Sequence, residues 1–286
     1  MLRIRVPILV FFVGLALGVL GGCGRTAAEK EPEGSAAPFV PTTMEAVRTM
    51  LEMARVGEDD VVYDLGCGDG RIPVMAAEEF GARGVGVELR EDLIEEAWER
   101  ARRAGVEDRV RFLREDLFET DVSEATVVTL YLLPEANLRL RPLLLEQLKP
   151  GARIVSHSFD MGEWEADHWI WEEVRSLFLW IVPADIAGTW KWEAEAEPLN
   201  QTYTLRVTQR FQELWPSLES ENGRHQLGDV TLSGDRLSLE FSEDIGGGEQ
   251  AVRFEGVVRG DEIQGWAVLG ENGDRNFPAL LRRVEP

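Results

Sequence analysis

From Val61 onward, short apolar runs alternate with stretches of helical period. Val61–Leu65, Gly84–Leu89, Val110–Leu113, Ala125–Leu132 and Arg153–His157 read as strands, and the nearly unbroken apolar character of Ala125–Leu132 is that of a strand buried on both faces. Between them the spacing predicts helices over Ile72–Phe80, Asp92–Ala104 and Pro134–Leu148. Pro73 falls in the first turn of the first helix, where a missing N–H is harmless, and Gly105 is placed to cap the second. Lys149-Pro150-Gly151 ends the third, which carries Pro142 within it. This alternation folds as a mostly parallel sheet with helices on both faces, a Rossmann-like α/β architecture. Trp169–Val182 adds two apolar runs split by Glu172, Glu173 and Arg175, a closing pair of strands.

The pattern changes at Gly188. Thr202–Thr208, Asp229–Leu232, Leu237–Phe241, Val252–Val258, Ile263–Val268 and Ala279–Val284 are short alternating runs. They are separated by Asn222-Gly223, Ser233-Gly234-Asp235, Gly246-Gly247-Gly248, Gly260-Asp261 and Asn272-Gly273-Asp274, residues that accept the positive φ of hairpin turns. A small antiparallel all-β domain, sandwich or barrel, is expected over residues 188–286, after an α/β domain over 39–184. Gly188-Thr189-Trp190 is similar to the Gly-x-Trp of lipocalin-like barrels. No internal repeat stands out.

The N-terminus has a different logic. Met1–Arg5 is short and basic, Val6–Leu20 is almost wholly apolar, and Leu20-Gly21-Gly22-Cys23 resembles a bacterial lipobox in which Cys23 receives the lipid. Residues 1–23 therefore read as a lipoprotein signal, with a plain N-terminal transmembrane anchor as the alternative. Either places the protein at a membrane, and the lipobox implies export. Residues 24–38, rich in Ala, Glu, Gly and Pro, are a flexible tether.

The 286 residues carry 52 acidic against 30 basic side chains, a net charge of -22. So acidic a chain lacks the clustered Lys and Arg that grip nucleic acid phosphates, and no nucleic acid partner is expected. Cys23 and Cys67 fall in unrelated segments, so no disulfide is expected, and with three histidines no metal site is expected.

The candidate chemistry sits at Asp64-Leu65-Gly66-Cys67-Gly68-Asp69-Gly70, between the first strand and first helix. Gly66, Gly68 and Gly70 let backbone approach a ligand, and the helix N-terminus offers unpaired N–H groups. A dinucleotide fingerprint would need glycine at position 71, where Arg71 stands. Asp64 suits a ligand carrying an ammonium group and opposes a pyrophosphate. Glu88, 24 residues on, is placed to accept from both hydroxyls of a ribose. Asp116 after the third strand is placed to accept from an adenine amino group, with Leu117 and Phe118 against the ring. All three acids fall at carboxyl ends of strands, where open α/β sheets bind ligands.

These residues resemble the seven-stranded class I S-adenosylmethionine-dependent methyltransferases. Pro38–Thr42, Tyr63–Ile72, Thr129–Pro134 and Lys149–His157 are similar, more narrowly, to the membrane-anchored protein lysine methyltransferases that act on the mitochondrial adenine nucleotide translocase and on the membrane-ring protein c of ATP synthase, a family with bacterial relatives. The similarity spans about residues 38–183; the β-domain lies outside it. It implies S-adenosylmethionine as cofactor and a protein lysine as methyl acceptor. It also places Thr129-Leu130-Tyr131 where other N-methyltransferases keep a substrate loop, with Tyr131 lining the channel as the candidate catalytic residue. Two other readings stay open: a small-molecule methyltransferase using the same site, and a non-catalytic surface lipoprotein whose β-domain binds a ligand or partner. Pro38–Thr42 reads as a lid, Arg71 as a first-turn ion-pair partner and His157 as a strand-end hydrogen-bonding group. Trp164, Trp169 and Trp171 are candidates to border a cleft.

Overall fold

A computed structural model describes residues 41–172, 175–195, 197–270 and 275–285. Cys23, the apolar segment before it, the tether, Pro38–Val40 and the Asn272-Gly273-Asp274 turn lie outside the described residues. No described helix is long and apolar enough to cross a membrane. The described residues belong to one compact unit, built on two sheets.

The first sheet follows the order of elements α1 (Met44–Met53), β1 (Val61–Leu65), α2 (Arg71–Phe80), β2 (Arg83–Val87), α3 (Glu91–Ala104), β3 (Val110–Leu113), β4 (Val127–Leu130), α4 (Pro134–Gln147), β5 (Arg153–His157), β6 (His168–Glu172) and β7 (Arg175–Ile181). Its strands lie side by side as β3-β2-β1-β4-β5-β7-β6, parallel from β3 through β5 and with β7 antiparallel to both neighbours. Every residue of β1 and β4 is buried, as expected for central parallel strands covered on both faces. Alternation divides each strand between two cores. Val62, Val127 and Val155 meet Val47, Met50 and Leu51 of α1 and Ile72 and Met75 of α2. Leu65, Val128, Leu130 and Ile154 meet Leu140 and Leu144 of α4 on the other side.

Helix α1 was not anticipated. Its signal is present in the chain: Thr43 caps it by accepting from the Ala46 N–H, and Ala46, Val47, Met50 and Leu51 make one buried face. The strand expected over Ala125–Leu132 is shorter, because Ala125 closes a turn onto Val122 and Leu133 already caps α4. Glu88 stands one residue past the end of β2.

The second sheet contains β8 (Gly188–Ala194), β9 (Gln201–Arg210), β10 (Glu213–Ser220), β11 (Gly223–His225), β12 (Leu227–Ser233), β13 (Arg236–Asp244), β14 (Glu249–Arg259), β15 (Glu262–Leu269) and β16 (Arg275–Glu285), all antiparallel. Its order is β11-β10-β9-β8-β16-β15-β14-β13-β12. The two ends, β11 and β12, adjoin in the chain through Gln226, so one bent segment pairs first with β10 and then with β13. The sheet thereby curls back on itself into a nearly closed up-and-down barrel, not a sandwich. Trp190, Trp192, Tyr203, Leu205, Phe241, Phe254 and their neighbours fill it.

Trp190 of the Gly-x-Trp is fully buried, and its indole N–H donates to the Ile186 carbonyl at 2.9 Å. The Arg283 guanidinium lies 4.5 Å from its ring centroid and donates to the Ala187 and Asp185 carbonyls, tying the last strand to the entry of the first. Arg283→Ala removes a cation–π contact and two charge-assisted hydrogen bonds, so the barrel is expected to lose about 2 kcal/mol. The urea midpoint followed by near-UV circular dichroism measures this, and an unchanged midpoint contradicts it.

Candidate functional site

The strand order reverses direction between β1 and β4, so the chain leaves the two strands toward opposite sides and opens a crevice at their carboxyl ends. The glycine loop fills the start of that crevice. Gly66, Gly68 and Gly70 take left-handed φ of 83°, 51° and 71°, which a side chain would resist. A Cβ on Gly70 would also stand 2.6 Å from the Ala97 Cβ, so α2 and α3 close up only on glycine. The Gly66 and Cys67 N–H groups both donate to the Val87 carbonyl at 2.9 Å, pinning the loop to the end of β2. Burial pushes the Cys67 thiol well up, which keeps it a neutral packing group.

Glu88 is drawn into the same loop. Its Oε2 accepts from the Gly68 N–H at 3.1 Å, and its Oε1 accepts from the Leu89 and Arg90 N–H groups at 2.9 and 3.0 Å. Asp116, half-buried, accepts through Oδ1 from the Phe118 N–H at 2.9 Å. Leu117 is buried close to the glycine loop. The Phe118 ring carries the Arg139 guanidinium 3.7 Å from its centroid, so one of its faces is taken.

Asp64 and Asp69 make an instructive contrast. Burial acts to raise the Asp69 carboxyl, but hydrogen bonds and charge from Arg71 and Arg100, at 2.6 and 2.5 Å, hold it below the usual carboxylate range. Asp64 is buried too and has no ion-pair partner among the described residues. Burial pushes it up to about 7, reinforced by the charges of Asp69 and Glu88, against the Thr129 hydroxyl that donates to its Oδ1 at 2.8 Å and the more distant Arg71.

Arg71 extends the cluster across the sheet edge. It is the ion-pair partner its position implied, and it also donates to the Thr42 carbonyl at 2.5 Å. Thr42 is buried, and its hydroxyl lies 3.2 Å from His157 Nδ1. His157, at the end of β5, meets the Tyr131 ring just past β4, with centroids 4.0 Å apart and planes tilted by 31°. Thus the described end of the expected lid crosses from the glycine loop to the tips of β4 and β5. Asn137 of α4, fully buried, donates to Ser156 Oγ and to the Phe159 carbonyl, fixing the turn after β5. Arg100 and Asn137 carry no signal of their own in the sequence, because their contacts join residues far apart in the chain. Trp164 is fully buried rather than bordering a cleft.

The ANTKMT methyltransferase domain model matches residues 64–168, from Asp64 to the start of β6. A protein-lysine N-methyltransferase of Saccharolobus islandicus is 49% identical over 128 residues, which cover 44% of this chain and 80% of that protein. The chain belongs to the protein-lysine N-methyltransferase family. The adenine nucleotide translocase lysine N-methyltransferase of Mus musculus is 35% identical over 45% of this chain and 56% of its own length, so the chain spans less than two thirds of that relative. The crystal structure of an RNA methyltransferase from Salinibacter ruber in complex with S-adenosyl-L-homocysteine aligns at 54% identity and a TM-score of 0.51, over 51% of this chain and 96% of that one.

A methyltransferase of this family implies S-adenosylmethionine, and the crevice fits it. The cofactor carries an ammonium group, which is what a buried carboxyl without a cation lacks. Asp116 Oδ2 has no hydrogen bond among the described residues, and the left-handed glycines leave the loop backbone open to close approach. The Asp64 carboxyl, lifted from its usual 3.8 to about 7, has a consequence for the methyltransferase without ligand. Between these values the folded protein holds a proton that the unfolded chain has lost, so stability falls as pH rises from about 4 to about 7 and then levels. Urea unfolding of wild type against Asp64→Asn across this range is expected to show the fall in the wild type and its loss in the variant. Parallel pH profiles contradict the assignment.

Proposed function

We propose that this methyltransferase transfers a methyl group from S-adenosylmethionine to the side-chain nitrogen of a lysine in a protein. The observation that carries the reading is the joint one: a glycine loop with strand-end carboxyls at the strand-order reversal, in a chain 49% identical over 128 residues to a protein-lysine N-methyltransferase. Asp64 holds the cofactor's ammonium group, Glu88 accepts from the ribose hydroxyls, and Asp116 accepts from the adenine amino group with Leu117 beside it. Gly66, Gly68 and Gly70, which carry no side chains, let the loop backbone come close to the methionine end.

The cofactor supplies a methyl group on a sulfonium sulfur, open to in-line displacement by an amine lone pair. The chain's part is positioning and desolvation. Tyr131 stands beside the crevice on His157 and lines the approach of the amine. A lysine enters as an ammonium with a reference pKa near 10.4, and apolar walls lower that value by disfavouring the charged form. With that proton passed to solvent, the neutral amine would take the methyl group as the C–S electron pair stays on sulfur.

One observation favours a second acceptor: the Salinibacter ruber protein, 54% identical, is an RNA methyltransferase. The net charge of -22 weighs against it here, because each phosphate brought to an acidic surface adds repulsion instead of releasing counterions.

Calorimetry with S-adenosylmethionine tests the site. Glu88→Ala removes two ribose acceptors and is expected to weaken binding at least about tenfold, each hydrogen bond to a charged group being worth roughly 1.5–3 kcal/mol. Equal affinity contradicts the assignment. Incubating the protein with labelled cofactor and a lysate identifies the acceptor: label is expected on protein lysine, and label confined to RNA or small metabolites rejects the lysine reading.

A further inference from the structure

Among the described residues β6 is the outermost strand of the first sheet and pairs with β7 alone. Among the described residues, its other edge offers N–H and C=O groups to no strand. One side of β6 is seated: Ile170 packs into the core shared with α1. The other side is not. Trp169 and Trp171, two residues apart and on one face, are 59% and 69% exposed. Trp169 pairs with Phe178, whose ring stacks on Trp180, so it continues an aromatic stripe past the last strand that α4 and Trp164 cover. Tryptophan is among the side chains that dominate binding interfaces, and it gives up roughly 150–250 Å² on burial.

The stripe ends at the catalytic end of the sheet. β6 runs in the same direction as β5, and Ile170 and His157 both pair with Leu177, so Trp171 stands one residue beyond the level of His157. The chain from residue 158 to 174 contains six acidic residues and no Lys or Arg, and the whole protein carries -22. An exposed strand edge beside indole faces in an acidic setting suits an extended basic polypeptide: main-chain bonds supply the pairing, and cations find carboxylates and indole faces.

Resting on the protein-substrate reading above, we infer that the free edge of β6, with Trp169 and Trp171, docks an extended basic segment of the substrate as an added strand. The order β4-β5-β7-β6 fixes the distance. An added strand lies four spacings from β4, about 19 Å at about 4.8 Å each, and an extended chain covers that in about six residues. The methylated lysine therefore lies about six residues along the substrate from the docked stretch.

The test uses the full chain and a fluorescent synthetic peptide with an alternating valine–arginine stretch and one lysine about six residues beyond it. Anisotropy is expected to show binding that the Trp169→Ser/Trp171→Ser double variant weakens at least about tenfold. Its thermal midpoint and adenosylmethionine affinity are expected to stay unchanged, because both side chains are exposed. A peptide N-methylated on the backbone nitrogens that face β6 is expected to lose as much. Equal affinity of the two proteins, full binding of the N-methylated peptide, or no binding by the wild type overturns the docking surface. So does a wild-type dimer that the double substitution splits, since the edge is then filled by a second copy. Methyl transfer is followed separately by mass: transfer unaffected by the double substitution rejects the docking surface alone, whereas binding without transfer rejects the lysine reading.

Discussion

A carboxyl group buried in β1, with no ion-pair partner among the described residues, is the constraint around which the site is organised. Removing a charge from water costs several kcal/mol unless a partner is supplied, and proteins ordinarily supply one. This chain does so for Asp69, with Arg71 from the start of α2 and Arg100 from α3. Among the described residues it leaves Asp64 with a single hydroxyl donor, Thr129, and with the acidic Asp69 and Glu88 in its field. A fold that tolerates this arrangement keeps a place for a positive ligand. The glycine loop and the carboxyl ends of β2 and β3 adjoin that place, and Arg71 links it through Thr42 to His157.

Much of this was legible in the chain because it is local. β1, β3 and β5 begin and end where the sequence places them, and β1, covered on both faces, is buried from end to end. Gly105 caps α3 in the left-handed conformation its position called for. What escaped is mostly non-local. Arg100 reaches Asp69 from 31 residues away, and Tyr131 meets His157 across neighbouring strands. β10 was hidden by Pro216, a residue strands usually exclude, and β11 is only three residues long. Closure of the barrel depends on one segment serving two partners, which no run of residues announces. Helix α1 was the exception: its cap and spacing are present in the chain, but the Pro38–Thr42 stretch suggests a lid that ends where the helix begins.

The family match stops at residue 168, and the barrel follows as an addition firmly tied to the methyltransferase sheet. The turn between β9 and β10 carries Phe211 onto Trp164, with stacked rings 5.6 Å apart, while Gln212 accepts from the Trp164 indole at 2.8 Å. The Ala184 N–H donates to the Gly234 carbonyl in the barrel at 2.8 Å. The Trp164 contacts brace the segment between β5 and β6, which leads to Trp169 and Trp171 at the open edge. The barrel is thus placed to set the shape of the substrate side of the sheet, while the cofactor side is built by the shared methyltransferase core.

The central claim is that Asp64 is a carboxyl waiting for the cofactor's cation, and proton release tests it most directly. S-adenosylmethionine binding is measured calorimetrically at about pH 6 in buffers of different ionisation enthalpy. With Asp64 raised to about 7, binding beside it is expected to release about one proton there, the group being mostly protonated beforehand. The release is expected to vanish in Asp64→Asn. Tight binding with no proton released, or the same release in the variant, would contradict the account.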